Sequence, residues 1–250
     1  MFDNLKTDDT IKSSGDVIGG YQVLESGLYD FTVEMAYIDY SKKTNAMSFN
    51  LHLKGDNGEM LRTEQWVASG DAKGNKNYYL DKKTEEKKYL PGFVVSNDIA
   101  LLAAGKNLND LDFEDKALKL WDSSQGKETT QTKKVATNLI GAQITLGVLK
   151  ENVDKNVDVG GGNYQPTGET RDQNEIDKAF RRADGFTVLE ITAESSEPVF
   201  KQKWADKNTG ITRMNAKGAG AGAPVSKMNV GNAQSAQAAD ATVSMFAVPS

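Results

Sequence analysis

From Ser26 to Tyr40 apolar and polar positions alternate. Tyr29, Phe31, Val33, Met35 and Tyr37 fall on one side, Asp30, Thr32 and Glu34 on the other, which predicts a strand with one buried face. The alternation resumes at Met47: Met47, Phe49, Leu51 and Leu53 inward, Ser48, Asn50, His52 and Lys54 outward. Asn57-Gly58 then predicts a tight hairpin, because both residues tolerate the positive φ of a two-residue turn. The returning strand, Met60 to Val67, sets Leu61, Thr63, Gln65 and Val67 against Met60, Arg62, Glu64 and Trp66. Arg62 and Trp66 share a face. Trp66 either adds to a ligand surface there or closes the core.

Further on, Ser96 or Asn97 caps a short helix running through Ala104, and Gly105 stops it. Residues 116–122 predict a fourth strand, with Lys119 and Trp121 on one face and Leu118 and Leu120 on the other. A polar loop (122–134) and a short amphipathic piece (135–141) lead to a fifth strand over 142–153, with Ile144, Leu146 and Val148 inward. Residues 155–173 predict a long Gly-rich loop, 175–185 a helix stopped by Gly185, and 186–193 a strand. Residues 195–210 predict a helix with Pro198 near its first turn and Phe200 and Trp204 as an i,i+4 pair.

Three strands, a helix and two strands is the element order of an OB-fold, a partly open barrel that binds oligonucleotides. The expectation is therefore a mainly β chain with an OB-fold-like five-stranded antiparallel barrel over residues 21–153. A polar arm (1–20) precedes it. A loop and α/β embellishment (154–213) packs on it, and a disordered tail rich in Gly, Ala, Ser, Asn and Gln (214–250) follows.

Between the third strand and the helix, residues 65–93 carry Trp66, Tyr78, Tyr79 and Tyr89, interleaved with Lys73, Lys76, Lys82, Lys83, Lys87 and Lys88. Rings stack on unpaired bases and ammonium groups neutralise the phosphates between them, so this combination fits single-stranded nucleic acid held without sequence readout. An exposed hairpin would also be rich in Tyr and Lys for strand propensity and solubility. The loops at 39–45, with Lys42 and Lys43, and at 122–134 are also lysine-rich and would flank the same groove.

The formal net charge of −5 argues against a blanket affinity for duplex DNA, but leaves room for a local basic groove. There is no Cys and a single histidine, His52, so disulfides, thiolate metal sites and a His-based zinc site are excluded. QGKET fails as a phosphate loop, with Trp121 and Glu128 at the two key positions. Asp154, Asn156 and Asp158 have calcium-loop spacing, but Val159 and Gln165 replace the required Gly and Glu. Asp112, Glu114 and Asp115 either bind magnesium or cap and solvate a loop. No catalytic constellation emerges, and the chain is expected to be neither an enzyme nor a cofactor binder. No apolar run reaches the ~18 residues of a membrane span, and a soluble cytoplasmic protein is expected.

The phrases SGLYDFTVEMAYI, NLHLKG, WVASGDAKGNKNYY, KKYLPGF and PTGETRDQNEIDKAF, spread over residues 20–215, resemble the single-stranded DNA-binding proteins of tailed bacteriophages. The resemblance implies an OB-fold that coats single strands in the host cytoplasm during phage DNA replication, recombination and repair. The implied surface comprises Trp66, Lys73, Lys76, Tyr78, Tyr79, Lys82 and Lys83, with Tyr89 beside them, and extends to Arg62, Lys42, Lys43, Lys119 and Trp121. Such proteins commonly recruit replication partners through an acidic tip ending on an aromatic residue. Here Lys217, Lys227 and Asp240 are the charged residues after Met214, and Phe246 stands without an acidic cluster. Partners are then recruited differently, or the tail does not recruit. The alternative reading is a phage structural or adaptor protein that uses a small β-barrel to bind another protein.

Overall fold

The computed structural model describes residues 22–122, 124–159 and 164–217. The chain is mainly β. Its strands are β1 (Gly27–Tyr40), β2 (Met47–Gly55), β3 (Met60–Trp66), β4 (Tyr78–Leu80), β5 (Lys87–Tyr89), β6 (Phe113–Asp122), β7 (Lys127–Ala136), β8 (Gln143–Asp158), β9 (Tyr164–Arg181) and β10 (Thr212–Met214). The helices are α1 (Pro91–Ala104), α2 (Val188–Thr192) and α3 (Val199–Asn208). Eight strands share one sheet, and β4 and β5 pair separately. No ladder among the described residues joins β3 to a strand other than β2, so pairing does not close this sheet into a five-stranded barrel.

β1 organises the sheet. One edge pairs antiparallel with β2. The other is shared, its first half with β8 and its last residues with β7, where Tyr37 faces Val135. The handover occurs at Val33, whose amide donates to the Ala142 carbonyl at 2.9 Å and whose carbonyl accepts from Gly141 at 2.8 Å. At this point β1 is bulged. Val33 pairs with Leu53 and Met35 with His52, so Glu34 is an extra residue. A bulge reverses which side chains face the core. Phe31 and Val33 enter the main core, but after Glu34 it is Ala36 and Ile38 that do so. The single face expected for Tyr29 through Tyr37 is thereby corrected. Met35 and Tyr37 cross to the other side and join Leu118, Leu120 and Val135 in a second cluster.

The main core combines Phe49, Leu51 and Leu53 of β2, Ile144, Leu146 and Val148 of β8, and Ile99 and Leu102 of α1. α1 begins earlier than the sequence indicated. Pro91 opens it, and Ser96 and Asn97 are buried inside it rather than capping it. Proline suits this position because its missing N–H belongs to the unpaired first turn. Gly105, at φ +67°, ends the helix as expected.

The segment over 122–134 is largely β7 instead of a loop. Residues 155–158 and 164–173 lie in the paired strands β8 and β9 instead of a loop, and residues 160–163 of the expected loop lie outside the described residues. β8 runs unbroken across residue 153, so the expected boundary there falls inside a strand. The predicted helix over 175–185 is the end of β9 and a turn. The predicted strand over 186–193 is α2, opened by a reciprocal Thr187–Glu190 capping box. α3 lies where expected. Its Trp204 packs with Phe180 and Leu149 on the sheet face opposite the main core, and its indole donates to Asp177 at 2.6 Å. The 1–20 arm and residues 218–250 of the expected tail lie outside the described residues. No helix among the described residues is long and apolar enough to cross a membrane.

Candidate nucleic-acid interface

The register across β1, β2 and β3 lays out the outer face in rows. Met35, His52 and Arg62 form one, Tyr37, Asn50 and Glu64 the next, and Asp39, Ser48 and Trp66 the third. Arg62 and Trp66 therefore share this face, and Trp66 is 43% exposed. It is a surface ring, not a core plug. The face is not purely basic, since Glu64 stands between Arg62 and Trp66. Burial, then the Asp39 and Glu64 charges, pushes the Tyr37 phenol up to about 12. Burial, then the Arg62 charge, lowers His52, so its imidazole is neutral at neutral pH.

The β6–β7 hairpin leans on this face through Leu118, Leu120 and Val135, and Lys133 pairs with Asp39 at 2.6 Å. Alternation then sends Lys119 and Trp121 to its far side, where Trp121 is 65% exposed. They are not in one trough with Trp66. Lys42 reaches Asp122 at the hairpin tip, 3.9 Å away. Lys43 is exposed but is not brought into the cavities described next.

The loop after β1 is fastened to the chain after β3. The Asp71 amide donates to the Thr44 carbonyl at 3.0 Å, and Asn45 Nδ2 donates to the Asp71 carboxylate at 3.2 Å. A β-carbon at Gly70 would overlap the Thr44 carbonyl, so only glycine permits this approach. The fastening leaves a cavity of about 290 Å³ walled by Thr44, Ala46, Trp66, Ala68, Lys73 and Leu90. A second, of about 460 Å³, is walled by Ser69, Lys73, Lys76, Tyr78, Tyr79 and Lys87. Five expected site residues are thus gathered around two adjoining cavities: Trp66, Lys73, Lys76, Tyr78 and Tyr79.

The β4–β5 hairpin is not a uniform platform. Tyr78 pairs with Tyr89 and Tyr79 with Lys88, so the two adjacent tyrosines point to opposite faces. Lys76 and Lys87 stand over the Tyr78 ring, 5.7 and 5.1 Å from its centroid. Tyr89 lies 5.2 Å from Phe93 and outside both cavity walls. Lys88 binds Asp81 at 2.7 Å. This contact, followed by the Lys83 and Thr84 amides, holds Asp81 down to about 2. Lys82 and Lys83 occupy the exposed hairpin turn. Among the described residues, no carboxylate pairs with Lys73, Lys76 or Lys87 within salt-bridge distance. Lys87 belongs to the lysine–tyrosine segment but not to the surface that the resemblance implies. Its register opposite Leu80, two residues from Tyr78, sets it beside that ring.

The sequence matches no protein-family profile and no curated protein. The carboxylates once considered for magnesium are engaged elsewhere: Asp112 with Lys106, Glu114 with Lys116 and Asp115 with Lys134. Among the described residues no group of three or more His, Asp or Glu is placed to hold a metal ion.

Proposed function

We propose that the protein binds single-stranded DNA without sequence preference, through the paired cavities between β3 and the β4–β5 hairpin, and that it serves phage DNA replication, recombination and repair. The observation that carries the reading is the set Lys73, Lys76 and Lys87, which lines these cavities beside Tyr78 and Trp66 without carboxylate partners among the described residues. Ammonium groups beside accessible rings attract phosphate and offer bases a surface to stack on; Trp66 is exposed and Tyr78 half-buried. Each stack contributes ~1–3 kcal/mol, and binding weakens with added salt because counterions are released. Titration of the tryptophan fluorescence with a poly-dT oligomer and with a duplex tests this. Salt-sensitive quenching by the first alone is the expected result. Indifference to both would overturn the reading.

A protein ligand is favoured by a different observation. The outer β8–β9 hairpin exposes Val157, at 49%, and Tyr164, at 68%, far along the chain from the lysines. An adaptor built on that hairpin would ignore poly-dT.

A further inference from the structure

The two cavities are divided by a ridge. Ser69, Lys73 and Leu90 line both, whereas Trp66 lines only one, and Tyr78 and Tyr79 only the other. The ridge is held in place by the backbone. The Ser69 amide donates to the Lys76 carbonyl at 2.8 Å, and Ser69 Oγ accepts from the Lys76 amide at 2.9 Å. Lys73 ends the 3-10 turn Asp71–Lys73, and Gly74, at φ +76°, turns the chain immediately after it. A cation therefore sits on the divider, with an aromatic ring on either side.

We propose that this arrangement is a dinucleotide step. Adjacent bases of one strand occupy the two cavities, one against Trp66 and the other against Tyr78. The Lys73 ammonium neutralises the phosphate that joins them. The proposal rests on the single-stranded DNA reading and adds its repeat unit. A ridge between neighbouring bases parts them from one another, so the strand must give up its own base-on-base stacking and regain it on the protein rings. A base still paired in a duplex is denied that exchange. The grip is then on a linkage flanked by two bases, not on isolated nucleotides or on the backbone at large.

The test uses the full chain and the thymidine dinucleotide TpT, with its natural phosphodiester or with an uncharged methylphosphonate linkage. Binding is read by NMR from the Trp66 indole resonance, assigned with Trp66→Phe. For the wild type, the neutral linkage is expected to weaken binding about tenfold, the scale of a hydrogen bond to a charged group. Lys73→Ala is expected to weaken TpT by the same factor and to be indifferent to the linkage. Lys76→Ala should keep the wild-type sensitivity to the linkage. Lys73 is exposed and pairs with no carboxylate among the described residues, so Lys73→Ala is expected to fold. If the Lys73→Ala and methylphosphonate losses multiply instead of overlapping, or if Lys76→Ala abolishes the linkage effect, the step is wrong. A wild-type protein that binds poly-dT would still retain the broader reading, and one that ignores poly-dT loses both.

Discussion

Gly92, the second residue of α1, lies directly against the backbone of Trp66. A β-carbon there would stand 2.5 Å from the Trp66 carbonyl oxygen and 2.7 Å from its amide nitrogen. The first turn of the helix is thereby pressed onto the end of β3, and the position of the Trp66 ring depends on that contact. Gly92→Ala should force the two backbones apart and destabilise the fold by about 1–3 kcal/mol. It should also weaken binding to poly-dT, because Trp66 moves with its strand. Urea unfolding and the fluorescence titration read the two effects separately. An unchanged unfolding midpoint would show that the contact is looser than the geometry requires.

The cavity rings and the buried indole should behave in opposite ways. Trp66→Ala and Tyr78→Ala should each lower poly-dT affinity by about 1–3 kcal/mol, and Trp66→Ala should leave thermal stability close to wild type, since that ring is exposed. Trp204 is 4% exposed, and Gly147 lies tight beneath its ring. Trp204→Ala should therefore cost about 3–5 kcal/mol of stability. If Trp66→Ala altered melting and not binding, its ring would belong to the scaffold.

Salt dependence separates the lysines. Replacing Lys73, Lys76 or Lys87 with Ala should reduce the slope of log affinity against log salt by about 0.7 each, the value for a phosphate contact on a single strand. Lys88 is already neutralised by Asp81, and Lys88→Ala should change the slope less. Equal effects from all four would point to a diffuse field with no defined contacts.

Asp98, on α1, makes stability depend on pH. Burial raises its carboxyl to about 6 from the usual 3.8, an effect that the Lys178 charge partly offsets. A raised folded pKa means that the folded state holds the proton more tightly than the unfolded chain. The associated stability is fully present below about pH 4 and is lost as pH rises through about 6. At pH 7 the buried carboxylate therefore carries an uncompensated cost. Asp98→Asn should stabilise the protein at pH 7 by about 2–3 kcal/mol and give little or no gain near pH 4. Denaturation midpoints across that range provide the measurement, and a pH-independent difference between the two proteins would contradict it.

The parts of the fold that were legible in the sequence are those with one wet face and one dry one. Phe49, Leu51 and Leu53 alternate with polar residues, and each is buried. The faces of β3 followed the same rule. β7 and the outer β8–β9 hairpin read as loops because both of their faces are polar: in β7 the half-buried positions are Thr129, Gln131 and Lys133 between exposed Glu128, Thr130 and Thr132, and residues 167–172 are all exposed, so hydrophobic periodicity has nothing to register. α2 reads as a strand from its apolar Val188 and Ile191, whereas the spacing of Thr187 and Glu190 marks the capping box that opens it. The lysine–tyrosine segment could be located by composition. Its division into opposite faces follows from the Tyr78–Tyr89 register, which depends on where a short hairpin turns. Glu34 gives no local sign of being a bulge.

β1 is a shared beam: Phe31 and Val33 before the extra residue and Ala36 after it are sunk in the interior, while Met35 and Tyr37 form the floor beneath the candidate binding face. Deleting Glu34 would remove the extra residue and let Met35 follow Val33 directly, still opposite His52, with Ala36 still facing the tightly filled centre and Tyr37 still against Leu120 and Val135. A variant lacking Glu34 should therefore keep these pairings and fold, with only the local bend of the strand altered; a chain that failed to fold would show that the bulge itself is required.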